Sequence, residues 1–153
     1  MMVEQINFLN QYLEIEKIRL HGKIRFKEEI KQEVLKAPVP NFILQPLVEE
    51  LIYKTASVGS STCELFIRAF RENDRLKIII ENSIGQNETL NDLQVYEGTV
   101  FKITKKRLTK LFGDEQKMIF TPNRNGTVVV EINIPLREKY FETEVVYLLE
   151  NAV

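Results

Sequence analysis

Between Thr127 and Pro135 the chain alternates without a break. Val128, Val130, Ile132 and Ile134 fall on one side, and Val129, Glu131 and Asn133 on the other. A strand repeats every two residues, so this pattern demands a sheet with one face in a core and the other toward water. The Asn125-Gly126 pair ahead of it is a hairpin signal, because both residues tolerate positive φ, and it joins a partner strand over 115–122. Residues 62–71 and 75–82, with a short turn at 72–74, read as a second antiparallel hairpin. A shorter alternation at 23–31 sets Ile24, Phe26 and Ile30 against Arg25, Lys27 and Glu29.

One-faced sheets need cover, and the helical periods supply it. Residues 3–20 place Ile6, Leu9, Leu13 and Leu20 near one stripe, widened by Phe8, Tyr12 and Ile15, before Gly22 ends the helix. Residues 41–56 predict a second helix, capped by Asn41, with an irregular first turn before Pro46 and with Leu47, Leu51 and Ile52 turned inward. A third helix spans 98–112 and stops at Gly113. Pro38 and Pro40 make 32–40 a connection, and 83–97 has no period, as in loops that cover a site. The acidic tail 138–153, with Val145, Val146, Leu148 and Leu149, reads as a short helix. The order of elements predicts one α+β domain. It is a two-layer α/β sandwich whose mixed, mainly antiparallel sheet has helices on one face.

Several chemistries are excluded or weakened. The 153 residues carry 21 Lys and Arg against 22 Asp and Glu, so no net charge draws the whole chain to nucleic acid or anionic membrane. One cysteine, Cys63, allows no internal disulfide, and one histidine, His21, allows no multi-His metal centre. Cys63 opens a strand and reads as a half-buried structural thiol. No GxxxxGK[ST] or GxGxxG phosphate loop exists. Lys102, Lys105, Lys106, Arg107 and Lys110 crowd one helix. A solvated face is favoured over a nucleic-acid surface, since no aromatics are interleaved for base stacking. No secretory signal or membrane span is spelled, and a cytoplasmic setting is expected.

Five segments remain: FLNQYLEIEKIRL from Phe8, QPLVEELIYKTA from Gln45, IIIENSIG from Ile78, GTVFKITKKRL from Gly98 and NRNGTVVVEINIP from Asn123. In this order they resemble the GHKL-type ATPase domain of LytS/YehU-type bacterial sensor histidine kinases, over about residues 6–136. The resemblance implies a Bergerat fold, ATP and magnesium as ligands, a homodimer through the N-terminal helix and a response regulator as partner. It implies no nucleic acid, and membrane contact only through segments outside this chain. Residues 1–22 would then be a helical lead-in, the end of a dimerisation region or a linker. Residues 23–136 would be the ATPase-like domain and 137–153 a tail.

The resemblance assigns site roles that the chain meets unevenly. Glu49 matches the acid of the helix motif and is the catalytic candidate. Glu50 stands where the family has the magnesium-holding Asn, so it is a weak metal candidate, and Tyr53 and Lys54 replace the usual Lys and His. Glu81 replaces the adenine-reading Asp, with Asn82 and Gly85 kept and Ser83 in place of Gly. Gly98 is kept, but Val100 replaces a second Gly and Ile103 an Asn. Thr127 would sit near adenine. Residues that fold the domain match, while those that touch magnesium and phosphate differ. This implies a degenerate site acting as a signalling or interaction module, with a functional Mg-ATP-binding domain as the alternative. The family's phospho-acceptor His lies before the Phe8–Leu20 segment, and His21 falls after it. The chain is thus expected to be a fragment or to lack the acceptor.

Overall fold

A five-stranded sheet organises the described residues, in the order β1-β2-β3-β5-β4. Its strands are β1 (Ile24–Ile30), β2 (Cys63–Glu72), β3 (Arg75–Ser83), β4 (Lys117–Asn123) and β5 (Thr127–Pro135). β1 runs parallel to β2, and the other three pairs are antiparallel. Among the described residues, three α-helices accompany the sheet: α1 (Met2–Arg19), α2 (Leu44–Ser57) and α3 (Thr99–Phe112). The computed structural model describes residues 1–57, 62–83, 98–123 and 127–137. Most of the predicted loop 83–97, the Asn125-Gly126 turn, Gly85 and the tail 138–153 lie outside the described residues. The mixed two-layer architecture is the one the sequence predicts.

The parallel β1–β2 pair needs a crossover, and α2 lies within it. In the central pair, Leu76, Ile78, Ile80 and Asn82 of β3 stand opposite Ile134, Ile132, Val130 and Val128 of β5. All eight are buried at 1% exposure or less, and they form the floor on which the helices pack. Burying each aliphatic side chain there contributes roughly 1.5–3 kcal/mol. α3 closes the layer with Phe101, Thr104, Leu108 and Phe112, and Phe101 meets Phe120 of β4 edge to face at 5.5 Å. No helix among the described residues is long and apolar enough to cross a membrane.

The inward stripe of α1 is Met2, Ile6, Leu9, Leu13 and Glu16. Phe8 and Ile15, predicted to widen that stripe, are instead 50% and 65% exposed, and Ile18 is 80% exposed. At 100° per residue these three fall on the far side of the helix from Leu9 and Leu13. Glu16 stays in the stripe because Arg19 chelates it, Nε to Oε2 at 2.9 Å and Nη2 to Oε2 at 2.5 Å.

The start of α2 differs from the prediction in one respect. The helix begins at Leu44, so Pro46 lies in its first turn, where no amide partner is lost. Asn41 therefore stands too early to cap it. The Ile43 and Leu44 amides donate to Gln5 Oε1, both at 3.3 Å, while Gln5 Nε2 donates to the Pro40 carbonyl at 2.7 Å. From the other side, Arg107 donates to the Asn41 carbonyl at 2.8 Å and to that of Phe42 at 3.2 Å. Phe42 itself has φ 55°, a costly conformation for an aromatic residue, and this double clasp holds it. Gln5→Ala is expected to lower unfolding free energy by about 1–2 kcal/mol in urea denaturation, the cost of a lost cap. Asn41→Ala, which keeps the carbonyl, is expected to change it by less than about 0.5 kcal/mol.

Candidate functional site

Asn82 lies near the end of β3 on the helix-facing side and is fully buried. A buried carboxamide must be satisfied. Its Oδ1 accepts the Cys63 thiol at 3.0 Å, and its Nδ2 donates to the Leu51 carbonyl of α2 at 3.4 Å. Cys63 is fully buried rather than half-buried, and its bond to Asn82 had no sequence signal. Val128 of β5 is the cross-strand neighbour of Asn82.

Glu81 and Thr127 occupy the opposite face of the sheet. Glu81 pairs with Arg68 of β2, whose guanidinium also lies 5.4 Å from the Phe66 ring centre. An open groove of about 520 Å³ there is lined by Arg25, Lys27, Glu64, Glu81, Ser83 and Thr127, among others. Ser83 Oγ accepts from the Glu64 amide at 2.9 Å. Successive side chains of a strand point to opposite faces, so Glu81 and Asn82 cannot serve one pocket. The adenine-reading place assigned to Glu81, and the adenine-side place assigned to Thr127, are on the face away from the helices.

α2 separates its two acids in the same way, because consecutive residues leave a helix about 100° apart. Glu49 accepts from Gln45 Nε2 of its own helix at 2.6 Å, and its carboxylate acts on Tyr12 of α1. The Tyr12 phenol there is pushed up to about 12, first by burial and then by the Glu16 and Glu49 carboxylates, with Arg19 opposing. Glu50 lies on the other flank and pairs with Lys54 Nζ at 3.0 Å, with both side chains more than two-thirds buried. The Lys54 ammonium thus supplies the charge that Glu50 needs, a pairing legible in the i,i+4 spacing. Tyr53 is 68% exposed.

Gly98 is the N-cap of α3, with φ −69° and ψ 175°, an extended conformation open to any residue. Val100 is within the first helical turn and packs partly against the core, so its β-branch meets no backbone conflict. Ile103 is 53% exposed on the outer side of α3. Arg107 and Leu108 serve the fold, as the clasp on Asn41 and Phe42 and as a fully buried side chain. His21 ends α1 at φ 52° and is exposed. No group of three or more His, Cys, Asp and Glu that could hold a metal ion occurs among the described residues.

The Tyr12 environment sets a pH dependence. The unfolded phenol ionises near 10 and the folded one near 12, so the unfolded state loses its proton first. Stability from the neutral phenol is present in full below pH 10 and falls as pH rises toward 12. Tyr12→Phe is expected to flatten the fall in urea midpoint across that window, and Tyr12 to be a late titrator in absorbance at alkaline pH.

No family model matches the chain. Sequence comparison finds sensor proteins. The sensor histidine kinase BtsS of Escherichia coli (strain K12) is 28% identical over 138 residues, which cover 90% of this chain and 24% of BtsS. The sensor protein LytS of Bacillus cereus is 25% identical over 142 residues, 86% of this chain and 24% of LytS. The chain thus spans about a quarter of the length of these relatives. Among solved structures, the catalytic domain of histidine kinase ThkA superposes with a TM-score of 0.63 at 17% identity, covering 87% of this chain and 90% of that domain. ThkA in complex with the response regulator TrrA superposes at 0.59 and 17% identity, covering 88% of this chain and 40% of that one.

Proposed function

We propose that this chain, a GHKL-type ATPase domain of the LytS-type sensor histidine kinases, is the catalytic-type domain of a two-component sensor whose nucleotide site is degenerate. It works, on this reading, as a cytoplasmic signalling module through protein contacts, with a response regulator downstream. The observation that carries it is the Glu50–Lys54 pair. Where the family holds magnesium with a neutral Asn, this chain has a carboxylate already neutralised by an ammonium at 3.0 Å. A hard dication needs oxygen ligands that are not engaged by a competing cation. The donor set does not fit magnesium.

Asn82, rather than Glu81, faces the helices, but its carboxamide is fully buried and engaged by Cys63 and Leu51. The kept Glu49, Asn82 and Gly98 favour the second reading, a Mg-ATP-binding domain that phosphorylates a His outside residues 1–153. Glu49 is bonded to Gln45 and acts on Tyr12 of α1, against an acid–base role beside Glu50.

Calorimetric titration separates the two readings. The degenerate site is expected to bind Mg-ATP more weakly than about 1 mM, less than about 4 kcal/mol of standard free energy. Glu50→Asn combined with Lys54→His is expected to tighten binding at least about tenfold, or about 1.4 kcal/mol. Micromolar binding by the unaltered chain would establish the second reading instead.

The exposed apolar row Phe8, Ile15 and Ile18 supports the proposed homodimer through α1, a second copy covering that face. Light scattering is expected to show a dimer at micromolar concentration and a monomer for Ile15→Asp with Ile18→Asp. A monomeric unaltered chain would remove this part of the proposal.

A further inference from the structure

We infer that two copies of this chain pair through antiparallel α1 helices, so that Ile18 of each lies against Phe8 of the other and Arg19 of each reaches the other's cleft between Phe8 and Phe42. This pairing rests on the homodimer reading proposed above and gives it a direction. The cleft is a cavity of about 290 Å³ lined by Glu4, Gln5, Phe8, Asn41, Phe42 and Gln45. Phe8 is 50% exposed and Phe42 58% exposed, although Arg107 and Gln5 hold the Phe42 backbone at φ 55° from both sides. A strained backbone that presents an aromatic ring to water, instead of burying it, points to a use outside the core of one copy.

The groups that suit this cleft are on the same helix, at its other end. Glu4, Phe8, Gln11, Ile15 and Ile18 follow at alternating steps of four and three, so they share the stripe that faces away from the core. Ile18 is 80% exposed. It lies ten residues after Phe8, about 15 Å along the axis, so the two cannot meet within one copy. In a parallel pair Glu4 would face Glu4, and Ile18 would stay as far from either cleft. In an antiparallel pair centred at the level of Leu13, Phe8 of one copy is level with Ile18 of the other, and Gln11 with Ile15. One two-fold axis then supplies both clefts at once.

Charge favours the same direction. The first turn of α1 carries Glu4 and its last turn Lys17 and Arg19, so antiparallel packing sets an acidic end beside a basic one and opposes the two helix dipoles. Glu4 and Lys17 each have a partner in their own copy, the Met1 amino group at 2.5 Å and Glu14 at 2.6 Å. Arg19 spends Nε and Nη2 on Glu16, which leaves Nη1 and the flat faces of a guanidinium already fixed in place, on a side chain 57% exposed. Such a group loses little freedom on docking. Arg19 of the second copy comes level with Asn7, between Glu4 and Phe8 in the chain. There a cation gains from two phenylalanine rings and from the remaining acceptor sites of the Glu4 carboxylate.

Spin labels on the full chain test the direction, since native Cys63 is buried and out of reach of the reagent. Labels at Glu14→Cys are expected about 3 Å apart along the axis and labels at Asn7→Cys about 18 Å, so dipolar spectroscopy reads a clearly longer distance at Asn7. Phe42→Gly tests the cleft. Glycine takes a positive φ freely, so the urea midpoint is expected to hold or rise while the dimer dissociation constant rises at least about tenfold. Equal label distances at the two positions, or an unchanged dissociation constant for Phe42→Gly, would overturn the inference and leave the homodimer standing. A chain that stays monomeric in light scattering would overturn both.

Discussion

The two-residue repeat of the central β3–β5 pair is the constraint on which the rest of the molecule depends. Leu76, Ile78, Ile80 and Asn82 must share a face, as must Ile134, Ile132, Val130 and Val128, because their strands are paired in that register. The helices cover that face, so it is dry, and any polar side chain in it needs partners. Asn82 finds them in Cys63 and Leu51. The same repeat sends Glu81 to the far side, where Arg68 meets it near water. A one-residue slip would exchange the two and bury an acid beneath the helices.

A second constraint ties the helices to one another. The short loop before α2 is held by Gln5 from α1 and by Arg107 from α3, with Phe42 strained between them. The conformational cost at Phe42 is of order 1–3 kcal/mol, which several hydrogen bonds of about 1 kcal/mol each offset. Three helices distant in sequence are thus joined at one point. This gives a structural reason for the match of Arg107-Leu108 and Gln45-Pro46-Leu47 to the histidine kinase pattern.

Charge placement on α2 follows from helix geometry in the same way. Glu49 and Glu50 are adjacent in sequence but have different partners, Gln45 and the Tyr12 side of α1 for one and Lys54 for the other. The Glu50–Lys54 pair is largely screened from solvent, so breaking it to admit a dication would cost more than an exposed pair would. Chemistry at that flank is governed by an internal ion pair, whereas the Glu49 flank contributes to the electrostatics of the α1–α2 contact.

Much of the fold was legible in the sequence because its signals are local. Asn73-Asp74 sits between two β-rich runs, Gly113 closes a helix, and the clean alternation from Thr127 to Pro135 declares its own inner face. The helical stripes were legible in part: Leu9 and Leu13 were placed correctly, but apolar Phe8 and Ile15 were drawn inward, since hydrophobicity alone does not say which of two stripes finds a partner. The site was less legible. The amino-acid sequence by itself determined the strands, the helices and the kinship. Tertiary structure alone decided that Asn82 is inside and Glu81 outside. The physical reason lies in Ile78, Ile79 and Ile80, three apolar residues in a row: such a run hides its own parity, and only the pairing of β3 with β5 beneath the helices tells the two faces apart.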